Sequence, residues 1–245
     1  MHRKKPASVG MSRTTVDPGS YNKNQKLYSK LIRELYERYP DGVKLSAEYA
    51  EFVNNNLLHL LIRLARYKFV VKMLKKTDRV LEVGCGSGLG ATFMAQHCAH
   101  VTGIDVKQGE VEDAKLLSGR KNVDFRVMDL FKSDSLGKYD IVVNLDVIEH
   151  MQPAAGRKFV KAMARRLKPE GMLALGSPSL YSWKYQSPFS QASHVHCYDQ
   201  AELLALLDEF FARTLPFSMN DEIVHTGHPK MAWYYFVLAL MPKVR

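Results

Sequence analysis

The stretch Val80-Leu81-Glu82-Val83-Gly84-Cys85-Gly86-Ser87-Gly88-Leu89-Gly90-Ala91 runs from an apolar strand signal through alternate glycines into small residues suited to a helix. Glycine lets the backbone approach a ligand with no Cβ in the way. A strand that ends in glycines and opens a helix turns N–H groups and a helix N-terminus toward that ligand, which points to a nucleotide. Residues 86–91 also satisfy the G-x-G-x-x-A form of the dinucleotide fingerprint, so the loop alone leaves the ligand open.

Downstream of the loop, strand and helix signals alternate: helix 91–98, strand 101–104, helix 108–117, strands 123–127 and 139–145, helix 153–167 and strand 172–175. A helix over 200–210 and strands near 212–219 and 232–241 follow. This alternation predicts an α/β, doubly wound, mostly parallel sheet covered on both faces. Residues 232–241 fall far short of the roughly 20 apolar residues that span a bilayer and read as a buried strand. Residues 178–196, rich in Ser, Tyr and Gln, read as a long functional loop. Upstream, Leu27, Leu31, Ile32, Leu35 and Tyr36, and then Leu57, Leu58, Leu61, Ile62 and Ala65, recur at helical spacing on either side of Pro40-Asp41-Gly42. The expected division is a basic flexible tail over 1–20, a helical lid over 21–76 and a ligand-binding domain over 77–245.

Acidic and amide residues close the predicted strands. Asp105 lies 19 residues after Gly86, where a carboxylate can meet ribose hydroxyls as a bidentate acceptor. Glu82, ahead of the first glycine, can attract a cationic ligand or orient the loop, and would repel a pyrophosphate. Asp129 follows the third strand and Asn144-Leu145-Asp146 the fourth, at the carboxyl ends where open α/β sheets bind ligands.

On these residues, segment 80–176 resembles the core of the class I S-adenosylmethionine (SAM)-dependent methyltransferases, in particular the branch of ubiquinone-pathway and sugar or small-molecule O-methyltransferases. Residues 80–88 are similar to the family's first motif, Gly103-Ile104-Asp105 to its ribose-binding acid, and Met128-Asp129-Leu130 to the position that reads adenine. Asp140 to Asn144 and Val147-Ile148-Glu149-His150 resemble its fourth-strand motif, and residues 167–173 its turn into the fifth strand. The resemblance implies a seven-stranded Rossmann-like methyltransferase fold with an N-terminal helical extension. It also implies SAM as cofactor and S-adenosylhomocysteine as product, held by Glu82, Gly84, Cys85, Gly86 and Gly88, by Asp105 with Val106, by Met128, Asp129 and Leu130, and by Asn144 and Leu145. Arg66 stands where the family often has an arginine for the methionine carboxylate, with Arg63 as its competitor.

A hydroxyl acceptor gives up a proton on methylation, and a neutral histidine suits that role near pH 7. His194, His196 and His150 are the candidates, with His225 a further one. The i, i+2 spacing of His194 and His196 would admit a metal, but no carboxylate-rich cluster accompanies it in the sequence, and no metal is expected. Tyr181, Trp183, Tyr185 and Phe189 give residues 178–196 an aromatic face toward an acceptor, beneath a lid completed by residues 21–66. No Asp/Asn-Pro-Pro-aromatic stretch follows the fourth strand, which disfavours nucleic acid. The expected acceptor is a small-molecule or glycan hydroxyl.

The chain has 245 residues, 46% hydrophobic and 24% charged, within the globular range. Its formal charge of +10 is concentrated at one end. Residues 1–30 hold seven Lys/Arg against Asp17 alone, and the remainder is only mildly basic. Three scattered cysteines argue against a disulfide scaffold and for the cytoplasm. Three rival readings stay open: a nucleic-acid methyltransferase, an NAD-dependent oxidoreductase and a catalytically silent SAM-binding module. Oligomeric state is not legible.

Overall fold

The computed structural model describes residues 22–132 and 135–244, so the expected tail over 1–20 lies outside the described residues. Two compact units divide between Val43 and Lys44. The first contains helix α1 (Asn22–Arg38), which is amphipathic. The second holds everything from Lys44 onward, so α2 (Ala47–Asn55) and α3 (Leu57–Val71) belong with the sheet. Ser46 and Asn56 cap these two helices, their side chains accepting the Tyr49 and His59 amides at 3.3 and 3.2 Å.

The sheet has eight strands in the order β3-β2-β1-β4-β5-β8-β6-β7. These are β1 (Arg79–Val83), β2 (His100–Asp105), β3 (Val123–Val127), β4 (Tyr139–Leu145), β5 (Leu167–Pro178), β6 (Phe211–Asn220), β7 (Ile223–His225) and β8 (Tyr234–Pro242). The first five are parallel, and β8, β6 and β7 add antiparallel. Seven strands agree with the expectation. The eighth, β7, forms where the Asp221 turn, at φ 48°, folds Ile223–His225 back onto β6.

Helices α4 (Leu89–Met94), α5 (Gln108–Leu117), α6 (Pro153–Ala164) and α8 (Gln200–Asp208) complete the crossovers. Alternate residues of β1 feed two cores. Leu81 and Val83 pack with Phe159, Met163 and Leu203, whereas Val80 packs with Val70, Met94 and Val111. Val80 and Leu81 are fully buried, as a central parallel strand requires.

Several boundaries differ from expectation. Helix α4 starts at Leu89 because Gly88, at φ 83°, is its N-cap. Strand β5 begins at Leu167, paired with Tyr139, and residues 168–171 then bulge before Met172 meets Ile141. Residues 178–196 are not an open loop: they form a 3-10 segment, Leu180–Tyr185, and helix α7 (Pro188–Ser193). The apolar run near residue 240 is the buried strand β8, and among the described residues no helix is long and apolar enough to cross a membrane.

Candidate functional site

The strand order reverses at β1, between β2 and β4, which opens a crevice at the carboxyl ends of β1 and β4. The glycine loop fills its rim, and its glycines are required for different reasons. Gly84 has φ 77°, and a Cβ there would run into a Val147 methyl; Gly88 has φ 83°, and a Cβ would meet Ala114 at 2.6 Å and Phe125 at 2.7 Å. Both positions are closed by packing. Gly86, at φ 49°, faces open space, and a Cβ there would meet only a Glu110 carboxylate oxygen, at 3.7 Å. It is the position where a ligand can approach the backbone.

Asp105, at the end of β2, accepts the Gly86 amide at 3.0 Å and the Lys107 amide at 2.9 Å, one on each carboxylate oxygen. Each oxygen keeps a further lone pair for a hydroxyl donor. The Gly84 and Cys85 amides both donate to the Ile104 carbonyl, at 2.9 and 3.1 Å, which welds the loop to β2. Asn144, fully buried in β4, donates to the Val83 carbonyl at 2.9 Å and so ties the two strands beneath the crevice; its side-chain oxygen has no partner among the described residues. Asp129 accepts the Phe131 amide at 2.9 Å, and the Met128 amide donates to the Asp105 carbonyl at 2.8 Å, which sets Met128 beside the end of β2. Leu130 is buried in the core, whereas Val106 is 66% exposed and offers only a surface contact.

Of the two roles expected of Glu82, its surroundings suit orienting the loop better than attracting a cation. Only 1% exposed, it lies behind the loop, where burial pushes its pKa up to about 8 against the pull of the Tyr67 hydroxyl and the Ala91 amide. It is therefore largely uncharged at neutral pH, which removes the argument that it attracts a cation or repels a pyrophosphate. Cys85 is buried too, and burial raises its thiol pKa, as suits a small packing residue.

On the β4 side, Asp146 takes the left-handed backbone at φ 59° and turns its carboxylate to Arg66, 2.5 Å away. Arg66 also lies over the Tyr234 ring, 4.0 Å from its centroid. Of the two arginines, Arg66 reaches the crevice floor. Arg63 instead pairs with Glu48 at 2.8 Å.

Next to Asp146, a 3-10 turn (Ile148–His150) and the end of α7 bring Glu149, His150 and His194 together, with ligand atoms of all three within 4.8 Å of one another. His150 donates from Nδ1 to the Ser193 carbonyl at 2.9 Å, because a carbonyl can only accept, which leaves its Nε2 free of that bond. His194 Nδ1 lies 2.7 Å from the Gln186 side-chain oxygen, while the Gln186 nitrogen donates to Ser182, so His194 has the same tautomer. The two rings meet edge to face at 5.1 Å. Burial and the neighbouring His150 lower the His194 pKa, and burial and Asp146 raise that of Glu149, whose Oε2 accepts from Ser177 at 3.3 Å.

His196 does not join this group. Its Nε2 is held by Glu202 at 2.7 Å, and its ring packs on Tyr198. Its amide and that of Val195 donate to the Glu149 carbonyl, so the segment after α7 is pinned to the turn that carries Glu149. His225 is held by Asn220 at 3.0 Å. Sequence reasoning named Asp146 and Glu149 only within the motifs that end the fourth strand, without a role for either, and passed over Tyr234. The signal for the first two was present, since Asp146-Val147-Ile148-Glu149-His150 places two carboxylates and an imidazole within five residues after a buried strand.

Residues 81–175 match a family profile described as a methyltransferase domain. This segment is a methyltransferase domain. It spans the glycine loop, Asp105, Asp129 and the Glu149 turn, and it stops short of His194. Its sequence is similar to the ubiquinone biosynthesis O-methyltransferase of Bartonella tribocorum, with 33% identity over 109 residues, which are 43% of each chain. The chain thus spans less than half the length of the relatives it matches. The domain also has the fold of the N-methyltransferase NodS from Bradyrhizobium japonicum in complex with S-adenosylhomocysteine, at TM-score 0.56 and 16% identity, covering 74% of this chain and 88% of NodS. The PH0226 protein of Pyrococcus horikoshii superposes at TM-score 0.60 and 21% identity, covering 86% of this chain and 99% of its own. The methyltransferase domain therefore has the Rossmann-like class I fold that its glycine loop resembled.

Proposed function

We propose that the chain transfers the methyl group of SAM to a hydroxyl of a small molecule, such as a phenol or a sugar. The observation that carries this reading is the juxtaposition, at one end of the sheet, of an open Gly86–Asp105 ligand rim with the Glu149–His150–His194 group, in which Glu149 is buried, His194 half-buried and His150 exposed. The rim suits SAM because Gly86 faces free space, Asp105 retains acceptor capacity, and the buried Asn144 oxygen lacks a partner among the described residues. SAM supplies a methyl already activated on a sulfonium, so the protein's main task is orientation. Asp105 would hold the ribose, Met128 and Asp129 the adenine, and Asn144 and Leu145 the methionine portion. Arg66 would meet the carboxylate while remaining shared with Asp146.

His194 is suited to take the acceptor's proton. Its lowered pKa keeps Nε2 unprotonated at neutral pH, and Gln186 fixes its tautomer. Tyr181, Trp183, Tyr185 and Trp233 line an open groove of about 880 Å³ that would receive the apolar part of an acceptor. The convergence of one carboxyl and two imidazoles favours a second reading, in which Glu149, His150 and His194 hold a divalent cation that binds the acceptor oxygen. The three cysteines, free and buried, suit a reducing compartment such as the cytoplasm.

Calorimetry with SAM and with NAD tests the cofactor: binding of NAD without SAM overturns the proposal. Turnover of SAM with a panel of catechols and sugars then tests the activity, and SAM binding with no turnover would mark a silent module. Chelator treatment separates the roles of the cluster. Activity lost to the chelator and restored by added Mg²⁺ or Mn²⁺ assigns the cation; unchanged activity assigns the base.

A further inference from the structure

Helix α1, in the unit that ends at Val43, carries two opposed faces. At about 100° per residue, Leu27, Tyr28, Leu31, Ile32, Leu35 and Tyr36 occupy roughly half the circumference, and Lys26, Lys30, Arg33 and Glu37 cluster on the other side. Within this unit no described residue covers the apolar face: Leu27 is 56% exposed, Leu31 53% and Tyr36 65%, with Ile32 half-buried. With Lys23 and Arg38 the helix holds five basic residues against Glu34 and Glu37, and Lys30 meets Glu34 only in an exposed 3.7 Å pair. The sequence ahead of the helix adds Arg3, Lys4, Lys5 and Arg13 against Asp17.

We infer that α1 is an interfacial helix that docks the protein on an anionic lipid bilayer. The two faces choose this partner among three. A nucleic acid would engage the basic face and leave six large apolar side chains in water. A second copy of the helix would cover the apolar face and leave the basic one without a partner. An anionic bilayer uses both: apolar side chains enter the acyl boundary while lysines and arginines stay among the headgroups. The helix is too short and too charged to cross, so the attachment is peripheral.

The test is co-sedimentation of the full chain, without SAM, with vesicles of phosphatidylcholine alone and of phosphatidylcholine containing a third phosphatidylglycerol. Binding is expected only to the anionic vesicles and should weaken steeply with salt. Leu31→Glu should cut it at least about tenfold. Each of Lys26→Gln, Lys30→Gln and Arg33→Gln should cost about fivefold. These side chains are exposed, so the thermal unfolding of residues 44–245 should be unchanged in every variant. Failure to bind anionic vesicles, equal binding of the Leu31→Glu variant, or concentration-dependent self-association abolished by Leu31→Glu would each overturn the inference. Binding needs no methyl transfer, so it stands or falls apart from the proposed activity.

Discussion

At the scale of single residues, Asp105 and Glu82 are both acids beside the glycine loop, yet they are expected to behave in opposite ways. Asp105 organises Gly86 and Lys107 at the rim, so Asp105→Ala removes an acceptor from both amides and, on the proposed function, from the ribose. SAM affinity measured by calorimetry should fall at least about tenfold, since a hydrogen bond to a charged group contributes about 1.5–3 kcal/mol. Glu82→Gln keeps the shape of a carboxyl that is already largely neutral and should change affinity by no more than about threefold. The histidines divide similarly. His194→Ala should leave SAM binding intact and lower kcat by about 10²-fold or more, whereas His196→Ala should act only through loss of its Glu202 and Tyr198 contacts. Because burial favours neutral His194, the acid-side fall in kcat of the wild type should lie below the usual histidine value near 6.5, not at it. An acid limb above that value, or one that survives in the His194→Ala variant, would move the base to another group.

At the scale of elements, the loop from β1 to α4 separates packing glycines from a ligand-facing one. Gly84→Ala combines a left-handed backbone with a clash against Val147 and should lower stability by about 2–4 kcal/mol in urea unfolding. Gly86→Ala meets the backbone penalty alone, about 1–2 kcal/mol, and should lose SAM binding out of proportion to its stability. Equal damage in the two variants would remove the distinction. The central elements were legible because buried parallel strands are continuous apolar runs and their helices have a different period; α5, β3 and β4 have the bounds their patterns predict. The elements that were misread are those set by contacts distant in sequence. The 3-10 segment and α7 form from a stretch with no helical period, held by Ser187 capping Ser190 and by the Glu149 carbonyl accepting two amides. The same contacts bring His194 to Glu149 across 45 positions and turn His196 toward α8. Spacing within residues 194–196 cannot express either outcome.

At the scale of the whole molecule, burying Glu82 at the joint of strand, loop and α4 links cofactor architecture to stability. Its folded pKa of about 8 lies above its unfolded value of 4.5. Below pH 4.5 both states hold the proton and burial carries no ionisation cost. Between pH 4.5 and about 8 the unfolded chain releases the proton while the folded chain keeps it, so stability falls as pH rises, by at most about 1.4 kcal/mol per pH unit. Above pH 8 both states are ionised and the loss levels off. Glu149, also raised by burial, pulls in the same direction, whereas the lowered pKa values of Asp124 and Asp140 withdraw stability at acid pH. The wild-type profile therefore mixes several groups, and the difference between wild type and Glu82→Gln isolates one. Urea unfolding at pH 5, 6.5 and 8 should show the variant gaining on the wild type at each step. Parallel curves would mean that Glu82 is ionised in the folded protein and paired with a cationic group, which would restore its role as a charge beside the ligand.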